Sequence, residues 1–221
     1  LNNSIRLVRG VAGSGKSLVL VQRAKYLRSM FPEWNMLALT YNDSLARSLD
    51  AQLRDVEVPV KTFHSLCWGL IPPRDRTGSN LENPVGWLQH YREQHPVVGQ
   101  LGPDYVSSEI EWIKETGLVE RARYLKAERK GRERGLGRNQ REDVFEVFLA
   151  YQSYLAENNM YDYGEFPYMV LRAMAEDPDM EGRYDAVLID EAQDFAPVWM
   201  EVIKRILKEN GGLLFMADDP S

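Results

Sequence analysis

The chain has 221 residues, of which 44% are hydrophobic, enough to bury one substantial core or a core with a smaller satellite. No stretch approaches the roughly 18 uninterrupted apolar residues that a membrane span needs, so we expect no membrane partner and a cytoplasmic location. The single cysteine, Cys67, excludes an internal disulfide and a cysteine-based metal cluster. We expect it to be a small buried side chain.

The charge of the chain is unevenly distributed. A net charge of −6 argues against a generic nucleic-acid coat. The segment 121–141, however, carries nine Lys or Arg residues against two Glu, a local charge of +7, while acidic residues crowd the region 157–194. Nucleic-acid motors often carry such a local basic surface on an acidic chain, so this class of protein stays open.

Strand-like and helix-like segments alternate at the start of the chain. Ile5–Arg9 predicts a strand that leads into a glycine-rich turn and an apolar helix. Met36–Thr40 predicts a second strand, and the helix after it has Asn42 or Asp43 as its expected N-cap. Val58–Lys61 predicts a third strand.

The character of the sequence changes in the middle of the chain. Between about residues 69 and 182 strand-like runs disappear, and an apolar stripe at helical spacing runs from Val144 to Leu155. Turn-rich segments flank this region on both sides. We therefore predict an inserted, mainly helical subdomain over residues 69–182.

Two further strands complete the predicted sheet. Asp185–Ile189 and Leu213–Met216 are continuous apolar runs of the kind buried on both faces of a parallel sheet. A helix with Pro197 in its first turn separates them. Five strands alternating with helices predict an α/β fold, a doubly wound parallel sheet with helices on both faces, made of residues 1–68 and 183–221.

The glycine-rich turn fits the pattern G-x-x-x-x-G-K-[ST] at every fixed position, between a predicted strand and a predicted helix. Such a loop points successive backbone N–H groups at phosphates, and the helix that follows adds its positive end. A lysine at this place neutralises the β and γ phosphates, and a small hydroxyl suits the coordination sphere of Mg²⁺. The sequence therefore predicts a site for ATP and Mg²⁺. The predicted nucleotide-binding residues are Gly10, Val11, Ala12, Gly13, Ser14, Gly15, Lys16 and Ser17, with Ser17 also a metal ligand.

The second half of such a site is a carboxylate at the end of a buried strand. Asp190 follows the strand Asp185–Ile189, at the strand end where α/β sheets bind ligands. We expect Asp190 to bind Mg²⁺, directly or through water. Glu191 is placed to orient and deprotonate the attacking water, which makes Lys16, Asp190 and Glu191 the predicted catalytic residues.

The segment Asp190-Glu191-Ala192-Gln193-Asp194 resembles motif II of superfamily 1 DNA helicases of the UvrD/Rep type. Other motifs of the family follow in the family's order. Motif I resembles residues 10–17, motif Ia resembles residues 39–46, and the T-F-H-S segment resembles residues 62–66. The acidic segment that the family carries before motif II is similar to residues 160–166, and the start of motif III is similar to residues 213–221. The resemblance implies a P-loop NTPase fold of the RecA-like kind with subdomains 1A and 1B. It also implies ATP-driven movement on single-stranded DNA, and it assigns Gln193 to the nucleotide site.

The resemblance further implies a surface for single-stranded DNA, where an exposed aromatic ring would stack on any base. For Tyr41 and Phe63 a buried aromatic at a strand end is the alternative, and for His64 a capping or buried histidine. The implied DNA-binding residues are Thr40, Tyr41, Asn42, Thr62, Phe63 and His64.

The basic segment lies in the predicted insertion, where the family contacts duplex or displaced strands. Arg132 and Arg134 are the residues assigned to that contact, with a solvated helix and loop as the alternative. The resemblance also implies a second RecA-like domain of the same protein, so we expect this chain to be an N-terminal portion with little activity alone. A nucleotide-gated regulatory module and an RNA-directed helicase remain alternative functions.

Overall fold

The computed structural model describes residues 4–11, 13–80, 84–129, 132 and 134–219. The chain divides into two compact units, Leu1–Pro72 with Pro167–Ser221, and Pro73–Phe166. The sheet unit thus consists of two separated stretches of sequence, and the segment between them forms the other unit. That these units are independent domains with boundaries at 68 and 183 stays a prediction.

The first unit is built on a five-stranded parallel sheet. Its strand order is β1-β7-β6-β2-β3, and every neighbouring pair is parallel. All five strands were predicted from the sequence, and the α/β fold class is confirmed. The strands are β1 (Ser4–Arg9), β2 (Met36–Thr40), β3 (Val60–Thr62), β6 (Ala186–Ile189) and β7 (Leu213–Asp218).

Helices pack against this sheet, and one of its faces has a clear cluster of buried apolar residues. Leu20, Ala24 and Leu27 of the first helix are buried in one cluster with Leu188 and Phe215 of the central strands. The last helix buries a different set of apolar residues outside that cluster, as expected for helices on both faces. The helices are α1 (Lys16–Met30), α2 (Asp43–Leu53), α3 (Phe63–Leu70), α9 (Phe166–Glu176), which begins at the unit boundary, and α10 (Pro197–Ile206).

The second unit is mainly helical, as predicted. The predicted stripe on its longest helix is buried, since Val144, Phe148, Tyr151 and Leu155 all lie in one core cluster. A two-residue parallel strand pair accompanies the helices. The elements are β4 (Ser79–Asn80), α4 (Pro84–His90), α5 (Pro96–Leu101), α6 (Pro103–Glu115), α7 (Arg121–Lys126), α8 (Arg138–Glu157) and β5 (Met160–Tyr161).

Cys67 is fully buried, as predicted, and its burial raises the pKa of its thiol. No helix in the described part of the chain has the length and apolar character to cross a membrane.

Candidate nucleotide site

The glycine-rich loop joins β1 to α1. The loop starts beside the end of β7, where the Gly10 N–H donates to the Asp218 carbonyl at 3.3 Å. Gly13 and Gly15 have φ values of 76° and 86°, a left-handed conformation that side chains with a Cβ adopt at a cost. Helix α1 then begins at Lys16, as the sequence predicted. Ala12, one of the predicted loop residues, lies outside the described residues.

Lys16 is held inside the loop. Its side chain is 6% exposed, and its Nζ donates to the Val11 carbonyl at 3.3 Å. The same Nζ lies 3.5 Å from Oδ2 of Asp219, the residue directly after β7. The Asp219 carboxylate compensates the charge of this buried ammonium, and a phosphate is the other kind of anion that Lys16 could pair with.

Asp190 brings the second half of the site to the loop. It directly follows β6, and its residue is 4% exposed. Burial raises the pKa of its carboxyl, and the charge of Glu191 raises it further, whereas the hydrogen bond from Ser17 and the charge of Lys16 lower it. The carboxyl of Asp190 is therefore influenced by Lys16 and Ser17 of the loop, and the convergence of these residues on one nucleotide stays a prediction.

Glu191 and Gln193 extend this network. Glu191 has φ 54°, an unusual conformation for a residue with a side chain and one that often marks functional positions. Gln193 donates from Nε2 to Oε2 of Glu191 at 2.6 Å, and its Oε1 accepts from the Asp219 N–H at 2.9 Å. Gln193 therefore ties the segment after β6 to the segment after β7.

The protein groups at this edge suit Mg²⁺ bound together with a nucleotide. Ser17 offers a hydroxyl and Asp190 one carboxylate, and Mg²⁺ typically takes one or two such ligands and completes its shell with waters and phosphates. Oδ1 of Asp190 is buried and has no hydrogen-bond partner within the described parts of the chain. No cluster of three or more His, Cys, Asp or Glu suited to a metal occurs in those parts either.

The aromatic residues assigned to DNA differ in their exposure. Tyr41 is 47% exposed and stacks against Trp199 of α10, with ring centroids 6.0 Å apart. Phe63 is fully buried and stacks on the same Trp199 at 4.5 Å, so its ring is part of the core and has no face for a base. His64 is half-buried, and burial lowers the pKa of its imidazole. Phe63 is therefore a buried aromatic, as the alternative interpretation had it, whereas the ring of Tyr41 is accessible.

The polar residues assigned to DNA also have structural tasks. Asn42 is exposed and caps α2, accepting from the Leu45 N–H at 3.0 Å, as one of the two predicted caps. Thr62 is 9% exposed and caps α3 through the Ser65 N–H. Thr40 is fully buried. Because Thr40 and Thr62 are buried, Asn42 is the one of these three residues that a DNA strand could reach directly.

The two arginines assigned to duplex DNA lie in the helical unit. The Arg132 guanidinium donates to Glu109 at 2.9 Å and to Ser108 at 2.8 Å. Glu109 is fully buried and also accepts from Arg129 and Tyr124. Arg132 thus has a structural partner that a solvated loop would not provide. Arg134 is exposed, with its guanidinium 5.4 Å from the Tyr105 ring centroid, and its contact with DNA stays a prediction.

One residue of the site was missed in the sequence. The Asp219 carboxylate pairs with Lys16, and the Asp219 N–H donates to Gln193, yet the sequence interpretation left the segment after β7 without an assigned contact to the site. The available signal was an acidic pair, Asp218 and Asp219, directly after a buried strand. In a parallel sheet such residues gather at the ligand-binding edge.

A parallel sheet with a glycine-rich phosphate loop after β1 and an acidic strand end after β6 defines a P-loop nucleotide-binding fold of the RecA-like kind. Within that class, the family model for the UvrD/REP helicase N-terminal domain matches residues 2–220. The chain belongs to this family.

Individual relatives agree with that assignment. The chain is 23% identical to the ATP-dependent DNA helicase PcrA of Leuconostoc citreum over 96% of its length. It is 23% identical to the putative ATP-dependent DNA helicase YjcD and 22% identical to PcrA, both of Bacillus subtilis (strain 168), again over 96%. The chain spans about 30% of the length of each of these relatives.

Proposed function

We propose that this chain is the ATP-binding and hydrolysing part of a DNA helicase or translocase that moves on single-stranded DNA. The observation that supports the proposal best is a series of contacts at one edge of the sheet, which joins Lys16 through Asp219 and Gln193 to Glu191. Membership of the helicase family supports the DNA part, and the relatives that match are described as ATP-dependent DNA helicases.

Each residue of the site has a task in this proposal. The loop N–H groups and Lys16 bind the phosphates of ATP, while Ser17 and Asp190 hold Mg²⁺, which neutralises charge on those phosphates. Glu191 orients the attacking water and accepts its proton. Gln193 joins Glu191 to Asp219, so the segments after β6 and β7 respond together to the nucleotide.

The relatives extend far beyond the region that they share with this chain. We propose that a second RecA-like domain of the same protein completes the ATP cleft, and that the 221 residues alone hydrolyse ATP slowly. Comparing turnover by these 221 residues with turnover by the full-length protein measures this contribution.

The central test is ATP hydrolysis by the full-length protein with single-stranded DNA, with RNA, and with no polymer. Stimulation by DNA above the other two conditions is expected. Lys16→Met is expected to weaken binding of MgATP by about 10- to 150-fold, because a charge-assisted contact to phosphate contributes roughly 1.5–3 kcal/mol. Equilibrium titration with a fluorescent ATP analogue measures this affinity.

Lys25→Met is the matched control, because Lys25 lies on the same helix but pairs with Asp55 at the surface. It is expected to leave the affinity within about twofold. Stimulation by RNA and not by DNA would indicate an RNA helicase. Nucleotide binding without hydrolysis under all three conditions would favour a regulatory module and contradict the motor proposal.

The proposed DNA surface is tested at Tyr41. Removing the ring with Tyr41→Ala is expected to weaken binding of oligo(dT) by about 5- to 150-fold, since stacking on one base contributes roughly 1–3 kcal/mol. Tyr41→Trp keeps a stacking ring and is expected to retain binding. Fluorescence anisotropy at fixed salt measures both.

Tyr26→Ala serves as the comparison, because Tyr26 is 53% exposed on α1 and is not assigned to DNA. Its loss is expected to change DNA affinity by less than about twofold. If Tyr41→Ala and Tyr26→Ala lower DNA affinity equally, the loss follows from removing any exposed aromatic ring, and Tyr41 has no specific contact with DNA.

A further inference from the structure

Two buried oxygen atoms stand out at the ends of neighbouring strands. Thr40 ends β2 and is fully buried, and Asp190 follows β6 and is 4% exposed. Neither Oγ1 of Thr40 nor Oδ1 of Asp190 has a hydrogen-bond partner among the residues that the structure describes. Burying a polar atom without a partner is costly, so two such atoms together indicate a missing ligand or water.

The strand register puts these two residues side by side. Leu39 pairs with Ile189, and the Asp190 N–H donates to the Leu39 carbonyl at 2.9 Å. The next position on each strand places Thr40 opposite Asp190, at the strand separation of about 4.8 Å. Paired residues of parallel strands project to the same face of the sheet, so the two side chains are neighbours.

The shared face is the one that carries the phosphate loop. Ala38 and Leu188 precede Thr40 and Asp190 by two positions, and both lie in the cluster beneath α1. Alternation along a strand therefore directs Thr40 and Asp190 toward α1, whose first two residues are Lys16 and Ser17. The interaction of Asp190 with Ser17 agrees with this orientation.

We propose that Thr40 is a positioning residue of the nucleotide site, whose hydroxyl holds a water of the Mg²⁺ shell beside Asp190. This inference rests on the proposed function. Mg²⁺ keeps several waters when a protein binds it, and a hydroxyl can accept a hydrogen bond from such a water. Outer-shell partners of this kind typically change metal affinity by 10- to 100-fold.

The placement separates Thr40 from the DNA surface. Thr40 is fully buried, whereas its neighbour Tyr41 is 47% exposed and contacts Trp199 of α10. The two adjacent residues therefore connect the nucleotide site to the proposed DNA surface through one peptide unit. A direct contact of Thr40 with a DNA strand would require the end of β2 to open.

The test is the Mg²⁺ dependence of nucleotide binding by the full-length protein. A fluorescent non-hydrolysable ATP analogue is titrated over a range of Mg²⁺ concentrations and in EDTA. Thr40→Val, which replaces the hydroxyl by a methyl group of similar size, is expected to raise the Mg²⁺ concentration at half-maximal tight binding about 10-fold. Thr40→Ser keeps the hydroxyl and is expected to stay within about threefold.

Two further measurements distinguish this role from others. Affinity for oligo(dT) without nucleotide is expected to be the same for the parent and Thr40→Val. The melting temperature of Thr40→Val without nucleotide is expected to equal or exceed that of the parent, because the substitution removes a buried oxygen that lacks a partner. Thr40→Ser removes a buried methyl group, so the melting temperature that tests the hydroxyl is that of Thr40→Val.

The outcomes are separable. A parent protein that binds no nucleotide in a Mg²⁺-dependent way would contradict the proposed function itself. If the parent binds nucleotide in a Mg²⁺-dependent way and Thr40→Val has the same Mg²⁺ midpoint, the role of Thr40 alone would be overturned. A loss of DNA affinity in Thr40→Val, with the Mg²⁺ midpoint unchanged, would overturn it in favour of the DNA contact. A melting temperature of Thr40→Val below that of the parent would also overturn it, because the hydroxyl would then have a stabilising partner within the protein.

Discussion

Substitution of Glu191 by glutamine is expected to lower DNA-stimulated ATP turnover by about 100- to 10,000-fold, the usual contribution of a general base. Glutamine has the shape of glutamate but accepts no proton from the attacking water. The substitution keeps an oxygen that can accept from Nε2 of Gln193, which contacts Glu191 at 2.6 Å. Affinity for MgATP is therefore expected to stay within about threefold, so the loss falls on turnover alone. Steady-state hydrolysis and equilibrium nucleotide titration measure the two quantities.

The matched control is Glu201→Gln, a same-type change on the exposed side of α10, where Glu201 pairs with Arg205. It is expected to leave turnover unchanged within about twofold. Turnover by Glu191→Gln within threefold of the parent would contradict the assignment of Glu191 as the base. The next carboxylate to consider would be Asp194, whose pKa is raised by burial and by the charge of Glu191.

The sheet and the nucleotide site could be predicted because local sequence specifies both. Continuous apolar runs such as Asp185–Ile189 have few structural uses other than a central parallel strand, and the structure places β6 there. The glycine-rich loop needs glycine where φ is positive, at Gly13 and Gly15, and so carries its conformation in its composition. Both half-sites were therefore assigned to the strand ends where they are found.

The DNA-facing residues were harder to predict, because a motif gives residue types and not their exposure. All three of Thr40, Tyr41 and Phe63 lie at or directly after the end of a strand. Two of them are nevertheless fully buried, and only Tyr41 is accessible. Trp199 of α10, a residue distant in sequence, stacks on the rings of both Phe63 and Tyr41, yet packing encloses only the Phe63 ring. Tertiary packing of this kind leaves no local signal.

In the helical unit, the sequence likewise did not show which charged side chains are paired inside the protein. A run of basic residues predicted a surface for phosphate, but Arg129 and Arg132 surround the buried carboxylate of Glu109. Glu109 is about 20 residues away in sequence and lies on α6, among apolar neighbours that predict only a core helix. A charge count over a window records the arginines and misses the one carboxylate that binds them.

A second buried charge cluster in this unit includes two acidic residues of the segment 160–166, Asp162 and Glu165. The Asp162 carboxylate accepts from Nζ of Lys114 at 2.8 and 2.9 Å, from the Tyr151 hydroxyl at 2.7 Å and from the Glu165 N–H at 3.1 Å. Lys114 also lies 2.6 Å from Oε1 of Glu165. Burial, together with the charge of Asp162, raises the pKa of the Tyr151 hydroxyl. One lysine thus compensates two carboxylates and links α6 to the segment after α8.

Lys114→Met is therefore expected to destabilise the protein by about 3–5 kcal/mol, the usual cost of removing one partner from a buried ion pair. The methionine fills the space of the lysine stem but leaves the carboxylates of Asp162 and Glu165 close together without a cation. Urea denaturation followed by far-UV circular dichroism measures the free energy of unfolding. If the two units unfold separately, the transition of the helical unit should move and the other should not.

Two comparison variants make this expectation specific. Lys126→Met makes the same chemical change at the exposed end of α7 and is expected to alter stability by less than about 0.5 kcal/mol. Adding Asp162→Asn to Lys114→Met removes one of the two uncompensated charges, so the double variant is expected to regain part of the lost stability. A Lys114→Met protein as stable as Lys126→Met would mean that the cluster contributes nothing net, and that Asp162 has a role other than holding α6 in place.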